Sequence, residues 1–240
     1  MVILIGGLKS DTGKSTIAVH LAAWLDEQRK QVAFVDADTE QGNGAAWIGV
    51  ASPGVSVYMV GDAETSLRRV TQIVAEHCVI DGPSDNPDFT RSLMGLADAV
   101  VMPTGPWQAD RSALRQTVHT LGQVQQARQG KPVGLIVLNH LLGRTRLATG
   151  ALFAAKELEV PVARTSLGLR TAYANARWQG SVVWRMAGDA SAAAEEMHAL
   201  LAEALPDEGP QPTAPRFAEI PPTKWDLTQQ PESLPYAARA

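Results

Sequence analysis

The N-terminal sequence MVILIGGLKSDTGKST, residues 1–16, joins a short apolar run to a glycine-bearing loop. Val2–Ile5 is rich in β-branched residues, which predicts a buried strand. Gly13, Lys14, Ser15 and Thr16 then open a segment whose apolar residues recur at helical spacing. A strand, a loop and a helix that begins at Gly-Lys-Ser-Thr have the form of a P-loop, in which backbone N–H groups and the helix N-terminus bind phosphate.

The rest of the chain alternates apolar runs with amphipathic segments. After the first strand, further strands are predicted at 31–35, 55–60, 78–81, 97–102 (ended by Pro103), 132–138 and 160–167. Helices are predicted at 14–30, 63–77, 89–96, 108–129, 147–158, 171–178 and 190–205. Because the strands are apolar almost throughout, the sequence predicts an α/β fold, a mostly parallel twisted sheet with helices on both faces.

Composition limits the class of protein. The chain has 240 residues, of which 45% are apolar and 19% charged, and its formal net charge is −4. This acidic balance predicts no strong global attraction to nucleic acid. Cys78 is the only cysteine, which excludes a disulfide framework and a cysteine metal cluster. No run of 18 apolar residues and no signal peptide is seen, so a cytoplasmic location is the default expectation.

The composition changes near residue 206. Eight of the fifteen prolines fall in 206–240, where no apolar periodicity survives. We therefore predict a domain over 1–205 and a proline-rich tail over 206–240, either disordered or laid over the surface.

Acidic and amide side chains end three of the predicted strands. Asp36 and Asp38 follow the second strand, Asp81 ends the short strand at 78–81, and Asn139 follows the strand at 132–138. In open parallel sheets ligands bind beyond the carboxyl ends of the strands, so these side chains are candidates for a ligand site. The alternatives remain open: acids can simply solvate a strand end, and an asparagine can start a turn.

The loop has a further feature that narrows its class. Leu8 occupies the first glycine position of the standard P-loop, and Lys9 lies five residues before Lys14. A lysine at that spacing, followed in order by Asp-Ala-Asp38, Val-Ile-Asp81 and Leu-Asn139, resembles the ParA/MinD family of ATPases over residues 1 to about 205. The closest branch is ParA-type partition and positioning ATPases that lack an N-terminal helix-turn-helix.

The P-loop motif and the resemblance together assign roles. In a P-loop, Lys14 contacts the β- and γ-phosphates of ATP and the Ser15 hydroxyl binds Mg²⁺. The resemblance implies that Asp38 orients the attacking water and touches the magnesium shell, that Asp81 holds Mg²⁺, and that Asn139 contacts adenine. The expected nucleotide-binding loop consists of Lys9, Ser10, Asp11, Thr12, Gly13, Lys14, Ser15 and Thr16.

The resemblance also implies a working cycle. Such proteins form ATP-dependent homodimers in which the extra lysine, here Lys9, reaches the partner's nucleotide and acts in catalysis with Lys14 and Asp38. It further implies slow hydrolysis stimulated by a ParB-like or other partner, and nonspecific DNA used as a surface, with Arg170 and Arg177 as candidate contacts. The proline-rich tail predicts no membrane-targeting helix, so we expect the protein to position or partition DNA or a cellular cargo. If it binds DNA, association with the nucleoid is expected.

One departure leaves alternatives open. The family has glycines where this chain has Ser10 and Asp11, and two unit charges 4 Å apart interact by roughly 4 kcal/mol at a dielectric near 20. The Asp11 carboxylate would therefore weaken ATP binding unless it pairs with Lys9 or with a basic group across the dimer. The sequence SDTGKST also resembles the loops of dethiobiotin synthetase-like and cobyrinate amidation enzymes. A biosynthetic enzyme, or a nucleotide-gated interaction module with weak hydrolysis, is the alternative function.

Overall fold

The computed structural model describes residues 1–38, 43–143 and 145–206, so the predicted tail beyond residue 206 lies outside the described residues. The strands are Val2–Ile5 (β1), Val32–Asp36 (β2), Ser56–Met59 (β3), His77–Asp81 (β4), Ala99–Thr104 (β5) and Val133–Leu138 (β6). The helices are Lys14–Glu27 (α1), Asn43–Ala51 (α2), Ala63–Val70 (α3), Pro87–Leu96 (α4), Gln108–Ala127 (α5), Arg146–Lys156 (α6), Thr171–Trp178 (α7) and Ser191–Ala204 (α8). A short 3₁₀ helix, Val183–Arg185, precedes α8.

All six strands form one parallel sheet in the order β3-β2-β4-β1-β5-β6. Successive side chains of β1 enter different apolar clusters, as the two-residue period of a strand requires. Ile3 and Ile5 pack on the face covered by α1 and α8, whereas Leu4 packs on the face covered by α4 and α5. The predicted fold class is confirmed. In the described ranges, no helix combines the length and the apolarity needed to cross a bilayer.

The prediction that Pro103 ends its strand is wrong, because β5 continues to Thr104. The Gly6 N–H donates to Val101 O, so alternate residues of β5 turn their polar groups toward β1. Since β1 ends at Ile5, the chain needs no donor from position 103 on that side. A proline is tolerated where no ladder hydrogen bond is lost.

The predicted helix at 63–77 is too long. Helix α3 ends at Val70, and the Thr71 hydroxyl donates to Leu67 O and Arg68 O in the last turn. Val74, which the prediction placed on the apolar face of this helix, is 95% exposed and packs against no core.

The segment at 160–167, predicted as a strand, forms only isolated parallel bridges. Val162 pairs with Ile136 of β6, and Gly168 pairs with Leu141. Between these points the N–H groups of Arg164 and Thr165 donate to the Glu203 carboxylate of α8. The contact with Glu203 therefore interrupts the ladder between Ala163 and Leu167, whose N–H groups donate to β6.

Candidate functional site

The carboxyl ends of β1, β2, β4 and β6 meet at one edge of the sheet, beside the N-terminus of α1. The register pairs Asp36 of β2 with Asp81 of β4, so the two predicted acidic positions are direct neighbours. Lys14 begins α1 and lies buried at the same edge. The sequence-predicted site residues of the loop and strand ends are therefore brought together.

The loop is anchored through Gly13 and Asn139. Gly13 has φ 94°, a left-handed conformation, and a Cβ at this position would lie 2.2 Å from Asn139 Nδ2. Only glycine fits both conditions. The same amide nitrogen donates to Thr12 O at 2.7 Å, and Asn139 Oδ1 accepts from the His140 N–H at 2.8 Å. Asn139 thus fixes the loop, a role that the sequence did not indicate, and an adenine contact would use its second N–H.

Lys14 is held inside the protein. Its Nζ donates to Lys9 O at 2.9 Å and to Ser84 Oγ at 2.9 Å. Burial lowers the pKa of Lys14, and the nearby Asp81 and Asp38 carboxylates oppose that shift. Ser84 in turn donates to Asp38 Oδ2 at 3.0 Å. Sequence reasoning missed Ser84, because no motif separates it from an ordinary loop serine.

Asp81 is the group that most clearly lacks a partner. It is 1% exposed, and neither carboxylate oxygen has a hydrogen-bond partner. Burial raises the pKa of Asp81 to about 7, and the Asp36 carboxylate acts in the same direction, while Ser15 and Lys14 only partly offset them. A buried carboxylate without a donor is costly, and a hard cation is the ligand that would satisfy it.

The neighbouring acid is already satisfied. Asp36 Oδ2 accepts from the Ala45 N–H at 2.8 Å, and its Oδ1 accepts from the Asp38 N–H at 3.1 Å. A Cβ on Gly44 would lie 2.6 Å from Asp81 Oδ2, so α2 approaches the two carboxylates as closely as its backbone permits. Asp36 orients backbone, whereas Asp81 is left available for a ligand.

These residues fit Mg²⁺. In the part of the chain that the structure describes, no three His, Cys, Asp or Glu side chains are grouped to enclose a metal. Mg²⁺ is commonly held by one or two carboxylates together with water and phosphate oxygens, rather than by a closed protein cage. The unpartnered Asp81, with the Ser15 hydroxyl and Asp38 beside it, matches that pattern.

Lys9 has a partner within its own chain. Its Nζ lies 3.2 Å from Asp110 Oδ1, and the Asp110 side chain is only 3% exposed. The pairing of Asp11 with Lys9, or with a basic group across the dimer, stays a prediction. Asp11 is exposed and has φ 57°, a left-handed conformation that aspartate tolerates better than most residues. Ser10 beside it is half-buried.

A cleft of about 530 Å³ opens from Thr16 and Asn139 toward α7. Its lining is mixed, with the rings of His140, Tyr173 and Trp178, the side chains of Leu167 and Leu169, and the cations Arg170 and Arg177. A cleft with aromatic and apolar walls next to a phosphate-binding loop has the size and chemistry for a nucleoside.

The two arginines predicted for DNA differ in charge pairing. Arg170 donates twice to Glu196, at 2.9 and 2.6 Å, so most of its charge is compensated within the protein. Arg177 is exposed at the end of α7, and the described residues give it no ion pair. Their contact with DNA stays a prediction.

Comparison with known proteins places this geometry in a family. The model of the protein family described as "CobQ/CobB/MinD/ParA nucleotide binding domain" matches residues 3–201. The maintenance of carboxysome distribution protein A of Halothiobacillus neapolitanus is 28% identical over 212 residues, covering 85% of this chain and 96% of that protein. The chromosome-partitioning ATPase Soj of Thermus thermophilus is 28% identical over 183 residues, covering 61% and 72%.

Solved structures agree on the fold. A Cyanothece McdA variant in complex with ATP superimposes with a TM-score of 0.69 at 16% identity, covering 85% of this chain and 96% of that one. The cell division ATPase MinD of Pyrococcus furiosus gives a TM-score of 0.64 at 20% identity, covering 84% and 97%. The resemblance inferred from Lys9, the P-loop and the strand-end acids is confirmed. Since the family match spans well over half of its length, the chain belongs to the CobQ/CobB/MinD/ParA nucleotide-binding domain family.

Proposed function

We propose that this chain binds and hydrolyses Mg-ATP as a ParA-type dimerisation switch that positions DNA or a protein cargo. The observation that supports it best is that Lys14 and Asp81 are both buried beside the P-loop, and that the Asp81 carboxylate has no hydrogen-bond partner. An ammonium and a carboxylate placed there without mutual hydrogen bonds suit a phosphate and a cation, respectively. The family supplies the activity, since its named members include ATPases.

The residues divide the work as follows. Lys14 and the loop from Lys9 to Thr16 bind the phosphates, and Asn139 keeps that loop in place. Ser15 and Asp81 would hold Mg²⁺, with Asp38 beside them. When bound, the metal neutralises charge on the phosphate oxygens. Asp38 accepts a hydrogen bond from the attacking water and keeps it in line with the phosphorus.

Dimerisation is the proposed output of ATP binding. Lys9 is half-buried and its Nζ lies against Asp110 of its own chain. In the proposed dimer it leaves that contact and reaches the partner's nucleotide, much as an arginine finger acts in trans. A partner protein that stabilises this arrangement would accelerate slow intrinsic hydrolysis. We propose residues 1–205 as the switch domain.

The choice of cargo rests on relatives. One relative is named for the maintenance of carboxysome distribution and another for chromosome partitioning. The first matches over 85% of this chain, which favours a protein assembly as cargo, with DNA as the surface. Arg177 supplies an exposed cation for phosphate contacts, and such contacts predict binding that weakens steeply with salt.

The test is calorimetry with Mg-ATP followed by phosphate release with and without duplex DNA. The parent chain is compared with Lys14→Ala and with Lys156→Ala, an exposed lysine at the end of α6. We expect Lys14→Ala to lose ATP binding and Lys156→Ala to keep it. Absence of ATP binding by the parent would refute the proposal. Turnover that requires a small carboxylic acid would select the biosynthetic alternative, and ATP binding without phosphate release would select the nucleotide-gated module.

A further inference from the structure

Ser84 lies in the loop between β4 and α4, and both ends of that loop are fixed. At the start, the Gly82 N–H donates to Ile5 O at 2.9 Å, and a Cβ on Gly82 would lie 2.7 Å from the same oxygen. At the end, the Asn86 side chain accepts from the Phe89 N–H and caps α4. The anchored ends of this loop therefore fix the position of Ser84 beside the loop of the proposed ATP site.

The hydrogen bonds of the Ser84 hydroxyl have one possible direction. The Lys14 ammonium can only donate, and the Asp38 carboxylate can only accept. The hydroxyl therefore accepts from Lys14 at 2.9 Å and gives its single proton to Asp38 Oδ2 at 3.0 Å. Among the described residues, Ser84 is the donor that the structure supplies to the Asp38 carboxylate.

We propose that Ser84 is a positioning residue for ATP hydrolysis, because its hydroxyl orients the Asp38 carboxylate toward the attacking water. The inference rests on the proposed function, in which Asp38 holds that water. A carboxylate on a loop end can rotate about its side-chain bonds, and a hydrogen bond from a fixed donor removes that freedom. Small errors in the position of such a group are costly to rate.

The second contact predicts what Ser84 does not do. Its hydrogen bond occupies one of the three N–H donors of Lys14, so loss of the hydroxyl leaves that donor free for phosphate. Binding of Mg-ATP should therefore stay equal or become slightly tighter when Ser84 is truncated. A change confined to the rate, with affinity retained, is the signature of a group that acts in the transition state.

The experiment compares Ser84→Ala, Ser84→Thr and the control Ser92→Ala, whose hydroxyl bonds only to Asp88 O within α4. Single-turnover hydrolysis, Mg-ATP affinity by calorimetry and thermal unfolding are measured for each. We expect Ser84→Ala to hydrolyse roughly tenfold or more slowly, from the usual strength of a hydrogen bond to a charged group. Its affinity should stay within about threefold of the parent or tighten, Ser84→Thr should recover most of the rate, and Ser92→Ala should match the parent.

A double-mutant cycle shows whether Ser84 acts through Asp38. In an Asp38→Asn background, Ser84→Ala should cost no further rate, since the group that it orients is gone. Equal rates for Ser84→Ala and the parent, an affinity loss as large as the rate loss, or a full additional loss in the Asp38→Asn background would each overturn the assignment of Ser84 and leave the proposed function standing. A parent chain that binds no Mg-ATP or releases no phosphate would overturn both.

Discussion

The ion pair between Lys9 and Asp110 holds the proposed trans-acting lysine within its own chain, and Asp110→Asn should release it. The two atoms are 3.2 Å apart, which corresponds to roughly 5 kcal/mol at an effective dielectric near 20. Because Lys9 is 36% exposed, solvent screening reduces the net value to about 1 kcal/mol. Asparagine keeps the shape and the oxygen that accepts from the Trp107 N–H at 3.2 Å, so α5 keeps its N-terminal cap.

The expected result is tighter ATP-dependent dimerisation. Each symmetric dimer would break two Lys9–Asp110 pairs if Lys9 must leave Asp110 to reach the partner's nucleotide. Removal of about 2 kcal/mol of competing attraction therefore lowers the dimer dissociation constant by roughly 25-fold. Sedimentation velocity with Mg-ATP measures that constant for the parent and for Asp110→Asn at low and high salt. The difference between the two dissociation constants should become smaller as salt rises, because screening weakens the Lys9–Asp110 pair in the parent. An unchanged or weaker dimer in Asp110→Asn at low salt would refute the reasoning.

Five further substitutions, at four positions, test other parts of the molecule. Lys9→Ala should abolish ATP-dependent dimerisation in sedimentation and leave monomer binding of ATP in calorimetry mostly intact. Asp11→Gly and Asp11→Asn should both tighten Mg-ATP binding, by roughly fivefold for about 1 kcal/mol of screened repulsion, and equal affinities would sink the repulsion idea. Asp81→Asn should raise the free energy of unfolding at pH 7 by about 1–3 kcal/mol in urea titrations and should remove stabilisation by Mg-ATP. Burial raises the pKa of Asp81 from 3.8 to about 7, so folding opposes its ionisation and the gain should grow between these two pH values. Burial lowers the pKa of His20 to about 4, so its contribution to stability is present above pH 6.5 and falls by about 3 kcal/mol as pH drops to 4; His20→Gln should remove that part of the pH dependence.

The strands and the loop could be predicted because their signals are local. Val2–Ile5 and 132–138 are apolar runs long enough to identify as strands. The glycine, lysine and hydroxyl residues of the loop come directly after the first of these strands in the sequence. The side chains that hold the loop could not be predicted in this way. Lys9 meets Asp110 on α5, and Lys14 meets Ser84 after β4, so both contacts depend on how distant elements pack.

Two of the errors in the secondary structure depend on neighbouring elements of the fold. Proline usually ends a strand because it has no N–H to donate. Since β1 ends at Ile5, no hydrogen bond between β5 and β1 is lost at Pro103. The segment at 160–167 has the apolar content of a strand, but two of its N–H groups, those of Arg164 and Thr165, donate to Glu203 of another element. For Pro103 the sheet requires no donor that proline lacks, and at 160–167 a contact with a distant element outweighs the local preference.

The two lysines of the loop link the proposed nucleotide site to the surface formed by the β4–α4 loop and α5. Lys9 is engaged with Asp110 at the start of α5, and Lys14 with Ser84 ahead of α4. Both cations are assigned to phosphates in the proposed function, so phosphate would share or replace these internal contacts. For Lys14 the gain is a bond to an anion beside one to a neutral hydroxyl, and for Lys9 one ion pair is exchanged for another. The elements that lose the contacts pack on the same face of the sheet. A protein that binds this face preferentially in one state must therefore alter ATP affinity by the same factor by which ATP alters its own binding. By this reasoning, α4 and α5 form the surface where a stimulating partner would sense the nucleotide.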